Sequence, residues 1–210
     1  MDRSPHGCVS HQKITVAHGL DPRRLQEQRE EIDRLNDEIR GITLLAGIEV
    51  DILEDGRLDL PDEVLPGLDL VVGAVHTHFH LPRDKQTERI LRAMDQRCFS
   101  ILAHPSGRLL GERDPYDVDM ARIIHHARQR GCFLEVNSQP IRLDLTDTYC
   151  RMAREQGVMV AINSDAHEEH DLDNLHLGVN QARRGWLEKD DVLNSRPLPE
   201  LRRLLRRTMG

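Results

Sequence analysis

The sequence predicts an α/β fold with a parallel sheet covered by helices, and three observations carry that prediction. Short β-rich apolar runs recur along the chain, amphipathic helical patterns separate them, and 210 residues suffice for one barrel-sized domain. Near-continuous apolar strands belong to sheets buried on both faces, as parallel sheets are.

The elements follow in order. Asp21-Pro22 reads as an N-cap with proline in the first helical turn, and Leu25, Ile32, Leu35 and Ile39 recur at helical spacing until Gly41 stops the pattern. Residues 42–50 form an apolar run, and similar runs lie at 70–75, 100–103, 132–136 and 158–162, which gives about five buried strands. Helical patterns occupy 84–94, 116–130 (ended by Gly131) and 144–156 (ended by Gly157), while 175–184 and 199–207 close the chain. Residues 1–20 have no clear periodicity and read as irregular. With no repeat or linker in between, residues 21–210 read as one domain.

Composition narrows the function. The chain carries 29 basic and 36 acidic residues, a formal net charge of −7, and its hydrophobic fraction is 38%. No stretch approaches the roughly 18 consecutive apolar residues of a membrane span. The first residues lack the basic cluster and apolar run of a secretory signal, so the expected location is cytoplasmic. Cys8, Cys98, Cys132 and Cys150 are scattered without a Cys-x-x-Cys spacing and are expected to be reduced, buried or incidental. The acidic balance argues against non-specific nucleic-acid binding, although a local basic groove would escape this test. At 3%, aromatic residues leave few stacking platforms.

The informative feature is what stands at the strand ends: Gly47-Ile48-Glu49, Ala74-Val75-His76, Ala103-His104-Pro105, Glu135-Val136-Asn137 and Asn163-Ser164-Asp165-Ala166-His167. Each run delivers a side chain able to ligate a metal, and in an α/β barrel the C-terminal ends of parallel strands converge on one face. Imidazoles with carboxylates suit zinc, manganese or iron, and a carboxylate such as Glu49 is able to bridge two ions. The remaining histidines read differently. His78 and His80 lie in the loop past His76, His125 and His126 fall mid-helix, and His170 and His176 read as surface residues. His18, before the first helix, either lines the site or closes a loop. No Gly-x-Ser-x-Gly elbow, phosphate-binding loop or Gly-x-Gly-x-x-Gly follows a strand, so acyl-transfer, nucleoside-triphosphatase and dinucleotide chemistries are disfavoured.

These residues resemble a known family, the PHP (polymerase and histidinol phosphatase) domain, in the version that ends bacterial and archaeal family X DNA polymerases. The pieces that carry the resemblance are Ala17-His18-Gly19-Leu20-Asp21, Gly47-Ile48-Glu49-Val50-Asp51-Ile52-Leu53, Leu58-Asp59-Leu60-Pro61-Asp62, His104-Pro105 with Gly107-Arg108-Leu109-Leu110-Gly111, Glu135-Val136-Asn137, Asn163-Ser164-Asp165-Ala166-His167 and Ala182-Arg183-Arg184-Gly185-Trp186. The resemblance implies a distorted TIM-like (βα) barrel with a trinuclear metal site. Glu49, His76 and His104 would complete one position, Glu49 and Asp165 would serve a second, and His167 a third. The family's opening His-x-His and Asp-His motifs are not intact here. Ser10-His11 is the nearest remnant, which makes His11 a further candidate ligand and implies a barrel lacking its first two strands.

By the same resemblance the expected activity is metal-dependent hydrolysis of phosphate esters, with Glu49, Asp165 and His167 in the catalytic centre and one to three manganese or zinc ions as cofactor. The polymerase-linked members imply a 3'-to-5' exonuclease on single-stranded or 3'-end DNA, a place in DNA repair, and a separately encoded polymerase core as a partner. Arg108, Arg113, Arg142 and Arg183 lie near the strand-end loops as candidate phosphate donors. The alternatives are a degenerate domain used as a structural or binding module, a fragment of a longer polymerase, and a histidinol-phosphatase-like enzyme for small phosphates.

Overall fold

Among the described residues six strands pair in chain order, all parallel: β1 (Cys8–His11), β2 (Ala46–Asp51), β3 (Leu70–Ala74), β4 (Ile101–Leu102), β5 (Phe133–Asn137) and β6 (Val160–Asn163). The structure is a computed structural model and describes residues 8–11, 22–61 and 67–210. The five predicted runs are β2 to β6. The sixth strand, β1, lies in the stretch that reads as irregular, because four residues are too few for an alternation to stand out. Its pairing with β2 supplies what the local pattern lacks, and the register sets His11 opposite Glu49.

Among the described residues six α-helices accompany the sheet: α1 (Pro22–Glu38), α2 (Arg83–Met94), α3 (Met120–Arg130), α4 (Asp147–Glu155), α5 (Leu175–Arg184) and α6 (Leu198–Thr208). Two begin a turn later than the periodicity suggests. The Asp119 carboxylate accepts from the Arg122 amide at 3.1 Å and starts α3 there. Thr146 caps α4 through the Tyr149 amide at 3.4 Å, while Asp144, the expected first residue, is buried in the loop before it.

Because the strand order never reverses, right-handed crossovers deposit successive helices on one face of the sheet. There Ile48, Val50, Val71, Leu102, Leu134 and Val136 pack with Leu25, Ile90, Ile123, Ile124, Ala153 and Ala182 from the first five helices. Alternate residues of the same strands face the other way. Leu70, Val72, Ile101, Phe133 and Ala161 form a second core with Leu201, Leu204 and Leu205 of α6. One-directional winding is the (βα) barrel arrangement, and this second face corresponds to a barrel's interior. Among the described residues no strand joins β6 back to β1. The β6 edge is covered instead: Val160 bridges to Val192, and the Asn194 amide bonds the Ile162 N–H at 3.0 Å and its carbonyl at 2.6 Å.

Two contacts fix the loops at the C-terminal ends of the strands. Arg89, 1% exposed, donates from Nε to the Leu53 carbonyl at 2.8 Å, from Nη1 to the Thr77 carbonyl at 2.8 Å and from Nη2 to the Ile52 carbonyl. It therefore ties the exit of β2 to the exit of β3. Asp144 Oδ2 accepts from the Ser106 amide at 2.8 Å, the Ser106 hydroxyl at 2.9 Å and the Gly107 amide at 3.0 Å, tying the loop after β4 to the loop after β5. Gly107 is required there, since its φ is +62° and a Cβ would stand 2.2 Å from Tyr116 Cε1.

Candidate metal centre

Period-two alternation on β2 sends Ile48 and Val50 into the helical core and leaves Glu49 and Asp51 on the opposite face. Both carboxylates are buried. His76 follows β3 by two residues and His104 follows β4 by two, the latter with φ +28°. The three strand ends are neighbours in the sheet, so residues separated by 27 and 28 positions in sequence meet.

The meeting is close. His76 Nε2 lies 3.1 Å from Glu49 Oε1, and His104 Nε2 lies 3.5 Å from the same oxygen. One ligand atom from each of the three residues falls within 4.8 Å of the others, and among the described residues this is the group able to hold a metal ion. Two ligands of one ion with bonds near 2 Å stand about 3–3.5 Å apart. The donor set therefore fits a divalent cation such as zinc or manganese.

What surrounds the two rings supports that fit. His76 Nδ1 pairs with Asp51 Oδ1, the carboxylate–histidine arrangement that orients ligating imidazoles. Burial alone would depress the His76 imidazole, but its bonds to Asp51 and Glu49 overcome this and hold its pKa above the ordinary value. His104 is 1% exposed, and its Nδ1 has no hydrogen-bond partner. His104 Nε2 lies on the side of the shared Glu49 carboxylate.

A fully buried carboxyl, Glu135, underlies the cluster. Its Oε2 accepts from the His104 amide at 2.7 Å and from Asn137 Nδ2 at 3.1 Å, and its Oε1 accepts from Asn163 Nδ2 at 2.9 Å. Burial pushes its pKa up to about 6; the His104 imidazole opposes this, and the Asp165 and Glu49 carboxylates add to it. Glu49, Asp51 and Glu135 thus crowd negative charge into one buried region, which a cation relieves.

Asp165 joins through this network. Its Oδ2 accepts from Asn137 Nδ2 at 2.9 Å and lies 3.5 Å from Arg142 Nε. It stands outside the three-residue group, with φ +51°. His167 is exposed, and its Nδ1 contacts the Asp165 carbonyl at 2.8 Å. The other candidates are distributed unevenly. Arg108 and Arg113 hold loops, Arg108 through the Arg142 and Leu143 carbonyls and Arg113 through the Gly107 carbonyl at 2.9 and 2.7 Å. Arg183 lines a separate 440 Å³ depression with Leu187, Lys189 and Val192. His18 lies outside the described residues. His78, His80, His125, His170 and His176 are exposed, as a surface or loop placement requires, and His126 pairs with Asp95 at 2.9 Å.

Sequence reasoning assigned no role to Asp51 or Arg89. Asp51 carries a readable signal, because carboxylates at i and i+2 on one strand share a face. Arg89 carries none, since a basic residue in an amphipathic helix reads as solvated.

Comparison with known proteins gives the same picture. No protein-family model matches the chain. It is 42% identical over 196 residues to the DNA polymerase/3'-5' exonuclease PolX of Bacillus subtilis (strain 168), covering 93% of this chain and 34% of that protein. The chain thus spans about a third of that relative's length. A probable phosphatase of Thermoanaerobacter sp. (strain X514) is 29% identical over 171 residues, 77% of this chain and 67% of that protein. Among solved structures, the histidinol phosphate phosphatase of Lactococcus lactis, complexed with zinc, L-histidinol and phosphate, superposes with a TM-score of 0.58 at 14% identity, over 87% of this chain and 82% of that one. Strand ends that gather two histidines on one glutamate, on a fold shared with that phosphatase and in a sequence alike over nearly its whole length to a third of PolX, agree with the PHP-type resemblance read from the sequence.

Proposed function

We propose that the chain is a metal-dependent phosphoesterase that trims single-stranded 3' ends of DNA; its PolX relative is named a 3'-5' exonuclease. The observation that carries the reading is the Glu49, His76 and His104 cluster with Asp51 behind His76. A divalent ion, manganese or zinc, held by those three residues would supply Lewis acidity to a phosphoryl oxygen and to the attacking water.

The chain's own residues prepare that chemistry. With its Nδ1–H donated to Asp51, His76 keeps the Nε2 lone pair directed at the cluster. Glu49 faces both imidazoles through one oxygen, and a carboxylate is able to bridge two ions. Asp165, held by Asn137 beside Glu135, serves a second position, with His167 and His11 beyond it. The phosphate contact is assigned to Arg142; its Nε beside Asp165 supports this, as does the engagement of Arg108 and Arg113 with loop carbonyls. Asp165 and His167 stand outside the compact cluster, so the further positions fill in proportion to free cation and activity rises with added manganese.

The test is hydrolysis of a chromogenic phosphoester and of an end-labelled single strand across a manganese titration, with Glu49→Ala as control. The reading expects manganese-dependent release from both substrates by the wild type alone. Equal inactivity of wild type and control at millimolar manganese overturns it. Cleavage of the monoester without trimming of the strand transfers the assignment to a small-phosphate phosphatase.

A further inference from the structure

Helix α5 leaves an apolar stripe in solvent. Among the described residues seven large apolar side chains are exposed, and three of them, Leu172 (54%), Val179 (42%) and Trp186 (70%), lie on or beside this helix. They recur every seven residues, nearly two turns, and so fall on one side of α5. Leu172 stands in the short helical turn that runs into α5, and Trp186 follows its Gly185 cap. A depression of 440 Å³ along the same side, lined by Leu175, Val179, Leu187 and Val192, widens the stripe into a patch.

Packing holds the stripe outward. The inner side of α5 carries Gly178 and Ala182, both buried, and a Cβ on Gly178 would stand 2.1 Å from Ser138 Oγ and 2.8 Å from Ile162 Cγ2. The helix therefore lies too close to the ends of β5 and β6 to rotate its apolar side inward. Beyond the cap, the Trp186 carbonyl accepts from Arg154 Nη1 at 2.6 Å and the Trp186 amide donates to the Arg183 carbonyl at 3.0 Å. The backbone is fixed while the indole stays in solvent, and a fixed, exposed apolar patch marks a contact site.

Charge and spacing define the occupant. Glu169 and Asp173 make the start of the stripe acidic, while Arg183 and Lys189 make its end basic; all four are exposed, and none has an ion-pair partner among the described residues. Val179 stands midway between Leu172 and Trp186, and also midway between Glu169 and Lys189. Two copies of α5 packed antiparallel about a two-fold axis at Val179 therefore set Leu172 against the partner's Trp186 and each acidic end against a basic one. A two-fold contact requires such self-complementarity, and a pattern centred on one residue supplies it.

We propose that this side of α5 is the interface on which two copies of the chain pair, through Leu172, Val179 and Trp186, with Glu169 of each copy opposite the partner's Lys189. One helix side on another is a small contact, so the dimer dissociates at a concentration on the order of 10 µM.

Sedimentation velocity of the full chain, from about 1 to 200 µM to bracket that value, should show wild type passing from monomer to dimer. Val179→Glu sets two carboxylates face to face at the axis and Trp186→Ser removes the largest apolar contact, so each should weaken pairing about ten-fold or more. Leu110→Ser, which removes an exposed aliphatic side chain elsewhere, should leave it unchanged. Glu169→Lys should weaken the dimer by opposing like charges, and combining it with Lys189→Glu should recover it by restoring opposite ones. The substituted side chains are exposed, so melting transitions should match wild type. Wild type that stays monomeric at the highest concentration overturns the proposal and gives the stripe to a different protein. A dimer that survives Val179→Glu, that Leu110→Ser weakens equally, or that the double charge exchange fails to recover also overturns it.

Discussion

Asp51 stands behind His76: the carboxylate pairs with Nδ1 of the ring whose Nε2 lies 3.1 Å from Glu49 Oε1. One strand thus supplies both a ligand and the group that orients a neighbouring ligand. Replacing Asp51 with Asn keeps the shape and removes the charge that fixes the imidazole. Metal affinity should fall about 10–100-fold, read by calorimetric titration with zinc. A melting temperature of the metal-free variant close to wild type separates this loss from unfolding.

The buried Arg89 gives a second prediction, this time on stability. Its guanidinium satisfies the carbonyls of Ile52, Leu53 and Thr77. Arg89→Met fills similar volume but leaves these acceptors unpaired in the interior. The cost should be about 3 kcal/mol or more, measured by urea denaturation. Because the same bonds hold the exits of β2 and β3, the folded fraction should also bind metal more weakly than wild type.

Much of this was legible in the sequence, and the reasons are physical. The strands β2 to β6 announce themselves because burial on both faces demands continuous apolar runs, and the candidate group Glu49, His76 and His104 is legible because parallel strands bring their ends together. β1 escapes notice because its register comes from the partner strand and not from its own four residues. The arginines after β4 and β5 are named as candidate phosphate donors from their charge and position, but only the fold shows that Arg108 and Arg113 are engaged by main-chain carbonyls.

The cysteines supply a third prediction. Cys98, Cys132 and Cys150 are buried, and burial pushes the Cys132 and Cys150 thiols up to about 12. The thiolate is the reactive form, so both should resist alkylation at pH 8 in the native state and react fully in denaturant. Mass spectrometry of the labelled peptides reads this directly. Rapid native labelling of either would contradict its placement under the sheet.

Counting the metal bound per chain tests the central claim most directly. Glu49, His76 and His104 form the one compact donor group among the described residues, so the ion they share should bind tightest. Purified wild-type protein, dialysed against limiting zinc or manganese and measured by elemental mass spectrometry, should retain one tightly held ion. Glu49→Ala, His76→Ala and His104→Ala, each checked for a cooperative melt, should each lose most of it. A folded His104→Ala variant that keeps the full wild-type stoichiometry and affinity would contradict the account.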